Sequence, residues 1–252
     1  MKKHNKLNDH KYHLAKYSND YDKNSKIYKL CQRGDIYIPV TVNGVSVPNL
    51  KNSVGHAGTK RWIEGCKYRA SLMDTEGKSV LDFGTNTGYI LFELLRNGGA
   101  TFGVGIDRSK DLINICKEVA SLEKLNASFF EAGLYPRVVN MGEEEYNDPT
   151  PLTEDLTFDG EITVDKFDVG LLLSLWHRNQ IKHMFKNSDL FTKAKEWYIE
   201  PTNHHRPTPG RPRVDKKTMK GFAKTLEEFG EVKFLDYTDY QDRGLFHIVP
   251  YK

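Results

Sequence analysis

The chain has 252 residues and a mass of 29.0 kDa, and 38% of its residues are hydrophobic and 28% charged. This length suits one α/β domain with an extension or two small domains, and 13 Phe, 13 Tyr and 3 Trp provide enough bulk for a core to exclude wholesale disorder. No apolar run approaches the roughly 20 residues that span a bilayer. Three widely spaced cysteines exclude a disulfide framework and a zinc site. These features predict a soluble, cytoplasmic protein.

The formal net charge of +3 conceals two basic segments. Residues 1–30 carry eight Lys against three Asp, and residues 202–220 carry six basic side chains against one Asp, so that each segment has a charge of +5. The remainder of the chain is acidic. Basic segments attract phosphate-rich partners, although a lysine-rich terminus is also typical of a solvated tail.

The first 75 residues are predicted to form an extension of two parts. Residues 1–30 have neither helical nor strand periodicity, which predicts a basic, loosely docked segment. Residues 31–75 are expected to form an extension or lid, in which short β pieces flank an Asn43-Gly44 turn. Within this part, residues 58–73 predict a helix with one apolar stripe, formed by Trp62, Cys66, Ala70 and Met73.

Residues 76–252 alternate between strand and helix patterns. The predicted strands are 79–83, 101–106, 126–130, 167–175, 195–200, 232–237 and 245–249, and the predicted helices are 89–96, 110–125 and 217–229. This alternation predicts an α/β, Rossmann-like domain with a mostly parallel seven-stranded sheet, helices on both faces and an antiparallel C-terminal strand. Two long stretches interrupt the pattern, 132–165, with room for a third crossover helix, and 201–214, and loops of this length carry function or disorder.

The most informative segment is VLDFGTNTGY at residues 80–89. Glycine at position 84 permits a positive φ and a close backbone approach to a ligand, and glycine at position 88 permits tight packing of the helix against the strand. A dinucleotide fingerprint needs a middle glycine, but this chain has Asn86 there and Asp82 beside the turn. A carboxylate would repel pyrophosphate and suits a ligand with ammonium and sulfonium groups. The segment therefore favours S-adenosylmethionine over a nicotinamide dinucleotide.

Two further carboxylates follow predicted strands. Asp107 ends the second strand, where a carboxylate can accept both ribose hydroxyls, although it could also cap the following helix. Glu131 follows two phenylalanines at the end of the third strand, where an adenine ring would lie, although it could also be a surface residue. The two glycines alone could be a tight turn, but the joint order of these residues favours a binding site.

These motifs resemble those of class I S-adenosylmethionine-dependent methyltransferases. The matching pieces are VLDFGTNTGY (80–89), VGID (104–107), FFEAG (129–133) and FDVGLLLSLWHRN (167–179). The resemblance implies a cofactor site built from Asp82, Gly84, Thr85, Asn86, Gly88, Tyr89, Asp107, Arg108, Glu131 and Ser174. It places the first glycine turn at the methionine end of the cofactor.

A narrower similarity is to the transfer-RNA wobble-uridine methyltransferases that use a carboxylated form of S-adenosylmethionine. It rests on TKRW (59–62), EGKSVLDFGTNTGY (76–89), NGGATFGVGID (97–107) and LSLWHRN (173–179). This chain has Thr85-Asn86 where that group has Cys-Gly or Cys-Asn, and Trp176-His177 where it has Tyr-His. The similarity implies an RNA acceptor and leaves the carboxylated cofactor as a possibility.

Candidate catalytic residues must follow the strands, because ligands of open α/β sheets bind beyond the carboxyl ends. His177 could act as a general base or merely pack its helix, and Glu200 could bind a substrate donor or end its strand structurally. The predicted acceptor-binding residues are Trp176, Asn203, His204 and Arg206. No metal is expected, because the adjacent pair His204-His205 seldom converges on one ion.

The sequence predicts methyl transfer to an RNA or to a small molecule, such as an anion. The alternative is a non-catalytic Rossmann-like module that binds nucleic acid or protein. A nicotinamide-dependent oxidoreductase is disfavoured by Asp82 and Asn86.

Overall fold

The computed structural model describes residues 22–33, 36, 38, 40–47, 60–132, 157–158, 162–163, 166–173, 181, 185, 189–201, 216–238 and 243–251. The helices are α1 (Lys26–Cys31), α2 (Lys60–Ser71), α3 (Tyr89–Asn97), α4 (Lys110–Glu123) and α5 (Lys216–Leu226), with a 3-10 helix at Asp189–Lys193. The strands are β1 (Thr41–Val42), β2 (Val45–Ser46), β3 (Ser79–Phe83), β4 (Phe102–Asp107), β5 (Ala127–Glu131), β6 (Thr157–Phe158), β7 (Ile162–Thr163), β8 (Phe167–Leu173), β9 (Ala194–Glu200), β10 (Gly230–Thr238) and β11 (Arg243–Pro250).

Seven strands form the central sheet, in the order β10-β11-β9-β8-β3-β4-β5. Strand β11 is antiparallel to both of its neighbours, and the pairs among β9, β8, β3, β4 and β5 are parallel. Helices α2, α3 and α4 pack on one face, and α5 packs on the other. The predicted α/β, Rossmann-like fold with an antiparallel C-terminal strand is therefore confirmed.

Strand β8 is the central strand that the sequence predicts from its apolar run. Its residues from Val169 to Leu172 are buried, as expected of a parallel strand covered on both faces. Strand β10 begins at Gly230, two residues before the predicted start, because it continues pairing as far as Pro250 of β11. The proposed third crossover helix within 132–165 lies outside the described residues, of which Ala132 and the paired strands β6 and β7 belong to this stretch.

Helix α1 is an element that the sequence pattern misses. Ser25 caps it by accepting a hydrogen bond from the Tyr28 amide at 3.3 Å, and Ile27 and Leu30 are buried. Helix α1 packs on α4, and Lys26 of α1 forms an ion pair with Glu118 of α4. The expectation of a loosely docked segment is wrong for residues 26–30, because the apolar residues of this short helix are buried against α4.

Helix α2 confirms the helix that the sequence predicts in residues 58–73. It buries Ile63, Cys66 and Ala70, and residues 72–78 then lead to the amino end of β3.

Lys124 offers a test of the backbone at the end of α4. It has φ 55 and ψ 38, a left-handed conformation that costs a non-glycine residue about 1 kcal/mol or more, and its side chain is exposed. We expect Lys124→Gly to raise the free energy of unfolding by about 1 kcal/mol and the melting temperature by about 2 °C. The control Lys117→Gly, at an exposed position inside the same helix, should destabilise by a similar amount. Two variants of equal stability would contradict the prediction.

Candidate functional site

The carboxyl edge of the sheet brings four acidic residues onto one face. The register pairs Asp82 with Gly105 on β4, and on the other side with Leu171, which pairs with Tyr198. Because side chains alternate along a strand, residues two positions further share the same face. Asp107 and Glu200 therefore lie two residues closer to the carboxyl edge than Asp82 does, one on each side of Asp82. Glu131 pairs with Asp107. This set (Asp82, Asp107, Glu131 and Glu200) is called the acidic arc below.

The turn between β3 and α3 is held by unusual backbone angles. Gly84, Asn86 and Gly88 have φ values of 70°, 52° and 74°. The amides of Gly84 and Thr85 both donate to the Ile106 carbonyl, at 2.8 and 3.0 Å, which ties the turn to β4. Asn86 takes the position of the missing middle glycine because asparagine tolerates the left-handed region better than most residues.

Gly88 is required for packing as well as for its angle. A Cβ atom at this position would lie 2.6 Å from the Phe92 ring and 3.2 Å from the Cys116 sulfur. The sequence predicts tight packing of a helix on a strand at Gly88, whereas the neighbours that leave no room for a side chain belong to the helices α3 and α4.

Asp107 organises the two loops at the carboxyl ends of β3 and β4. Its Oδ2 accepts the Asn86 amide at 2.9 Å, and its Oδ1 accepts the Ser109 amide at 2.9 Å. Ser109, not Asp107, caps α4, because its hydroxyl accepts the Leu112 amide at 3.4 Å. An ionised carboxylate has about four acceptor sites, so each oxygen of this half-buried side chain can still accept another hydrogen bond.

Asp82 is a buried carboxyl group with a perturbed acidity. Its exposed fraction is 4%, and desolvation is the main cause that raises its pKa to about 7, with a further increase from the negative charge of Asp107. The Thr85 hydroxyl and the positive charge of Arg69 act in the opposite direction on this pKa. A ligand that brings a cation to Asp82 would relieve the cost of its ionisation.

Glu200 lies at the end of β9 and has no exposed surface. Its Oε2 accepts the Thr238 hydroxyl at 2.7 Å and lies 3.5 Å from Nε of Arg69, and its Oε1 lies 3.8 Å from Nη1 of Arg243. Both arginines are 5% exposed. Sequence reasoning misses Arg69, Arg243 and Thr238, because they come from α2 and the last two strands and share no motif.

The other predicted site residues differ in exposure. Thr85 and Asn86 are buried in the turn, whereas Arg108 and Glu131 are exposed at the ends of β4 and β5. Tyr89 is 3% exposed and packs in the core beneath α3, where desolvation raises the pKa of its hydroxyl. The predicted residues Ser174, Trp176, His177, Asn203, His204 and Arg206 lie outside the described residues.

The described part of the chain contains neither a metal-binding cluster nor a membrane-spanning helix. Its His, Cys, Asp and Glu side chains form no group of three or more that could hold a metal ion. None of its helices is both long and apolar enough to cross a membrane.

Comparison with known proteins shows which family the sequence resembles. Residues 74–196 match the model of a family described as a methyltransferase domain. This part of the chain is similar to a methyltransferase domain. A curated protein of Methanocaldococcus jannaschii, named as a protein N5-glutamine methyltransferase, is 31% identical to the chain over 102 residues. The aligned region is 40% of this chain and 51% of that protein, so the chain spans about half the length of this curated relative.

Two solved structures are similar to the chain at low sequence identity. TrmK of M. capricolum, in complex with S-adenosyl-homocysteine, is 14% identical with a TM-score of 0.45, and the match covers 74% of this chain and 68% of that one. The PH0226 protein of Pyrococcus horikoshii OT3 is 15% identical with a TM-score of 0.49, and the match covers 75% of this chain and 89% of that one.

The methyltransferase domain implies S-adenosylmethionine as its cofactor, and the described residues fit this group. The buried Asp82 carboxyl group, whose raised pKa reflects the cost of a buried charge, suits a cationic ammonium or sulfonium group. Asp107 retains acceptor capacity for hydroxyls at the next strand end. The exposed Glu131 pairs with Asp107 across the sheet, where a third part of the ligand can reach it.

Proposed function

We propose that the protein is an S-adenosylmethionine-dependent methyltransferase whose acceptor is an RNA or a small molecule, such as an anion. The observation that carries this proposal is the acidic arc around a positive-φ turn at the carboxyl edge of a class I methyltransferase domain. In that arrangement Asp82 would hold the methionine end, Asp107 the ribose and Glu131 the adenine side of the cofactor. Gly84, Thr85, Asn86 and Gly88 would shape the backbone beneath it.

The chain's own residues would mainly supply alignment. S-adenosylmethionine, when bound, supplies a methyl carbon that its sulfonium already activates toward displacement. The protein then needs to hold the acceptor in line with that carbon, and a general base is needed only if the acceptor arrives protonated. His177 is the predicted base and Trp176 the predicted pocket wall, and both stay predictions.

The acceptor class rests on charge. Two basic segments, residues 1–30 and 202–220, could contact phosphates, and such contacts make RNA binding fall steeply with salt. A small anion could instead be held by Arg206 with Asn203 and His204. The glutamine side chain in the name of the archaeal relative is a third acceptor to include in a screen. A radiolabelled methyl group transferred to RNA, to small anions or to a glutamine peptide would separate these classes.

Asp107→Ala is the direct test of the cofactor site. We expect it to weaken the binding of S-adenosylhomocysteine by about 2 kcal/mol, close to thirtyfold, because a hydrogen-bonded charge is lost. Isothermal titration calorimetry measures this change. The control Asp111→Ala removes an exposed carboxylate from the first turn of α4 and should bind as the wild type does. An unchanged dissociation constant in Asp107→Ala would rule out this placement.

The alternative is a non-catalytic Rossmann-like module that binds nucleic acid or protein. It would become the better hypothesis if the wild type bound neither S-adenosylmethionine nor S-adenosylhomocysteine. The carboxylated cofactor stays a prediction of the narrower sequence similarity, and competition between the two cofactors for one site would test it. The cytoplasmic location is also a prediction of the sequence alone.

A further inference from the structure

Arg69 brings a buried positive charge to the carboxyl edge of the sheet from outside the matched methyltransferase domain. It lies on α2, five residues before the first matched position, and 5% of its surface is exposed. Its Nε lies 3.5 Å from Glu200, the last residue of β9. Burying an arginine carries a large desolvation cost, so the position of Arg69 next to the proposed cofactor site requires an explanation.

Arg69 lies over the face of the sheet that Asp82 and Glu200 share. Strand β8 separates the strands of these two carboxyl groups, and Glu200 lies two residues further toward the carboxyl edge, so their Cα atoms are roughly 12 Å apart. Arg69 contacts Glu200 and is also close enough to Asp82 for its charge to lower the pKa of that carboxyl group. One guanidinium therefore acts on two members of the acidic arc, Glu200 and Asp82.

The charged and titratable groups that face Asp82 come from several elements. Asp107 lies on β4, Cys116 on α4 and Arg69 on α2, and the Thr85 hydroxyl lies in the turn. Among these groups Arg69 is the cation, and Asp107 raises the pKa of Asp82. Arg69 is in turn held by Glu200, whose other oxygen faces Arg243.

We propose that Arg69 is a positioning residue for Asp82, held in place by Glu200, and that helix α2 thereby takes part in binding the methionine end of the cofactor. This inference rests on the proposed function. Its consequence is a defined pH dependence, because a cationic ligand group pairs with the ionised form of Asp82. Affinity then rises as the pH passes through the pKa of Asp82 in the free protein, and loss of Arg69 moves this rise to higher pH.

The test is a series of calorimetric titrations with S-adenosylhomocysteine from pH 6 to pH 8.5. We expect Arg69→Met to bind about tenfold more weakly than the wild type at pH 7, with the difference shrinking toward pH 8.5. Arg69→Lys keeps the charge and should restore much of the wild-type profile. The matched control is Arg96→Met, which removes a mostly buried arginine that pairs with Glu123 at 2.6 Å and should leave the profile in place.

A second variant guards against misfolding of Arg69→Met. Arg69→Met/Glu200→Gln also neutralises the carboxylate that Arg69 leaves behind while keeping an amide oxygen toward Thr238 and Arg243, and it should show the same shift of the profile to higher pH. Binding that weakens equally at every pH, or a profile that does not move, would overturn the positioning role while leaving the proposed function in place. Absence of binding by the wild type at every pH would overturn both.

Discussion

Asp82→Asn is expected to make the protein more stable and, at the same time, to weaken its binding of S-adenosylhomocysteine. Burial raises the pKa of Asp82 from 3.8 to about 7, so the wild type bears an ionisation penalty that is absent below pH 4 and complete above pH 7. An asparagine side chain does not ionise, so the variant lacks this penalty. The stability advantage of the variant should therefore grow by about 4 kcal/mol between pH 4 and pH 8.

The same substitution removes the carboxylate that would pair with a cationic ligand group. We expect the affinity for S-adenosylhomocysteine at pH 8 to fall by about 2 kcal/mol, the usual loss for a charged hydrogen bond. Urea unfolding at several pH values and calorimetry measure the two effects on one preparation. A stability difference that does not change with pH would contradict the raised pKa of Asp82.

Asp168→Asn is the matched control at the opposite edge of the sheet. Its partner Lys195, at 2.6 Å, is the main cause that lowers the pKa of Asp168 to about 2, with help from Ser79. A lowered pKa contributes stability above the unfolded value near 4 and loses it as the pH falls toward 2. Asp168→Asn should therefore destabilise the protein at pH 7, the opposite sign to Asp82→Asn, and should leave ligand binding unchanged.

Glu200→Ala is expected to destabilise the protein by about 3–5 kcal/mol, because it leaves Arg69 and Arg243 buried without their shared carboxylate. The Thr238 hydroxyl also loses its acceptor on Glu200. Urea unfolding of the variant measures the loss. The control Glu231→Ala removes an exposed carboxylate from the neighbouring strand β10 and should change the stability by less than about 0.5 kcal/mol. A similar small effect at Glu200 would show that the ion pairs contribute little.

A milder variant separates the structural role of Glu200 from the catalytic role that the sequence suggests. Glu200→Gln keeps the shape of the side chain and one acceptor for Thr238. If Glu200 acts in catalysis, this variant should fold and bind S-adenosylhomocysteine but lose turnover on an identified acceptor. If Glu200 only supports Arg69, turnover should fall no further than cofactor binding does.

Much of the fold follows from local patterns in the chain. The apolar run from Val169 to Leu172 predicts a central buried strand. The alternation of strand and helix around it predicts a parallel sheet, because a helix that connects two neighbouring strands by a right-handed crossover makes those strands parallel. Helix α1 cannot be predicted in this way, because its six residues are too few for a periodic signal and its apolar face is buried against α4, which is distant in the sequence.

The sequence by itself determined the turn from Asp82 to Gly88 and the carboxylate at Asp107, because strand ends and glycine spacing are local and parallel strands share one carboxyl edge. Only the tertiary structure decided that Arg69, Glu200 and Arg243 converge, and that burial raises the pKa of Asp82. Both properties depend on which distant segments exclude water from the same place. The packing of α2 on the sheet brings Arg69 to Glu200, and no local pattern in the sequence predicts this contact.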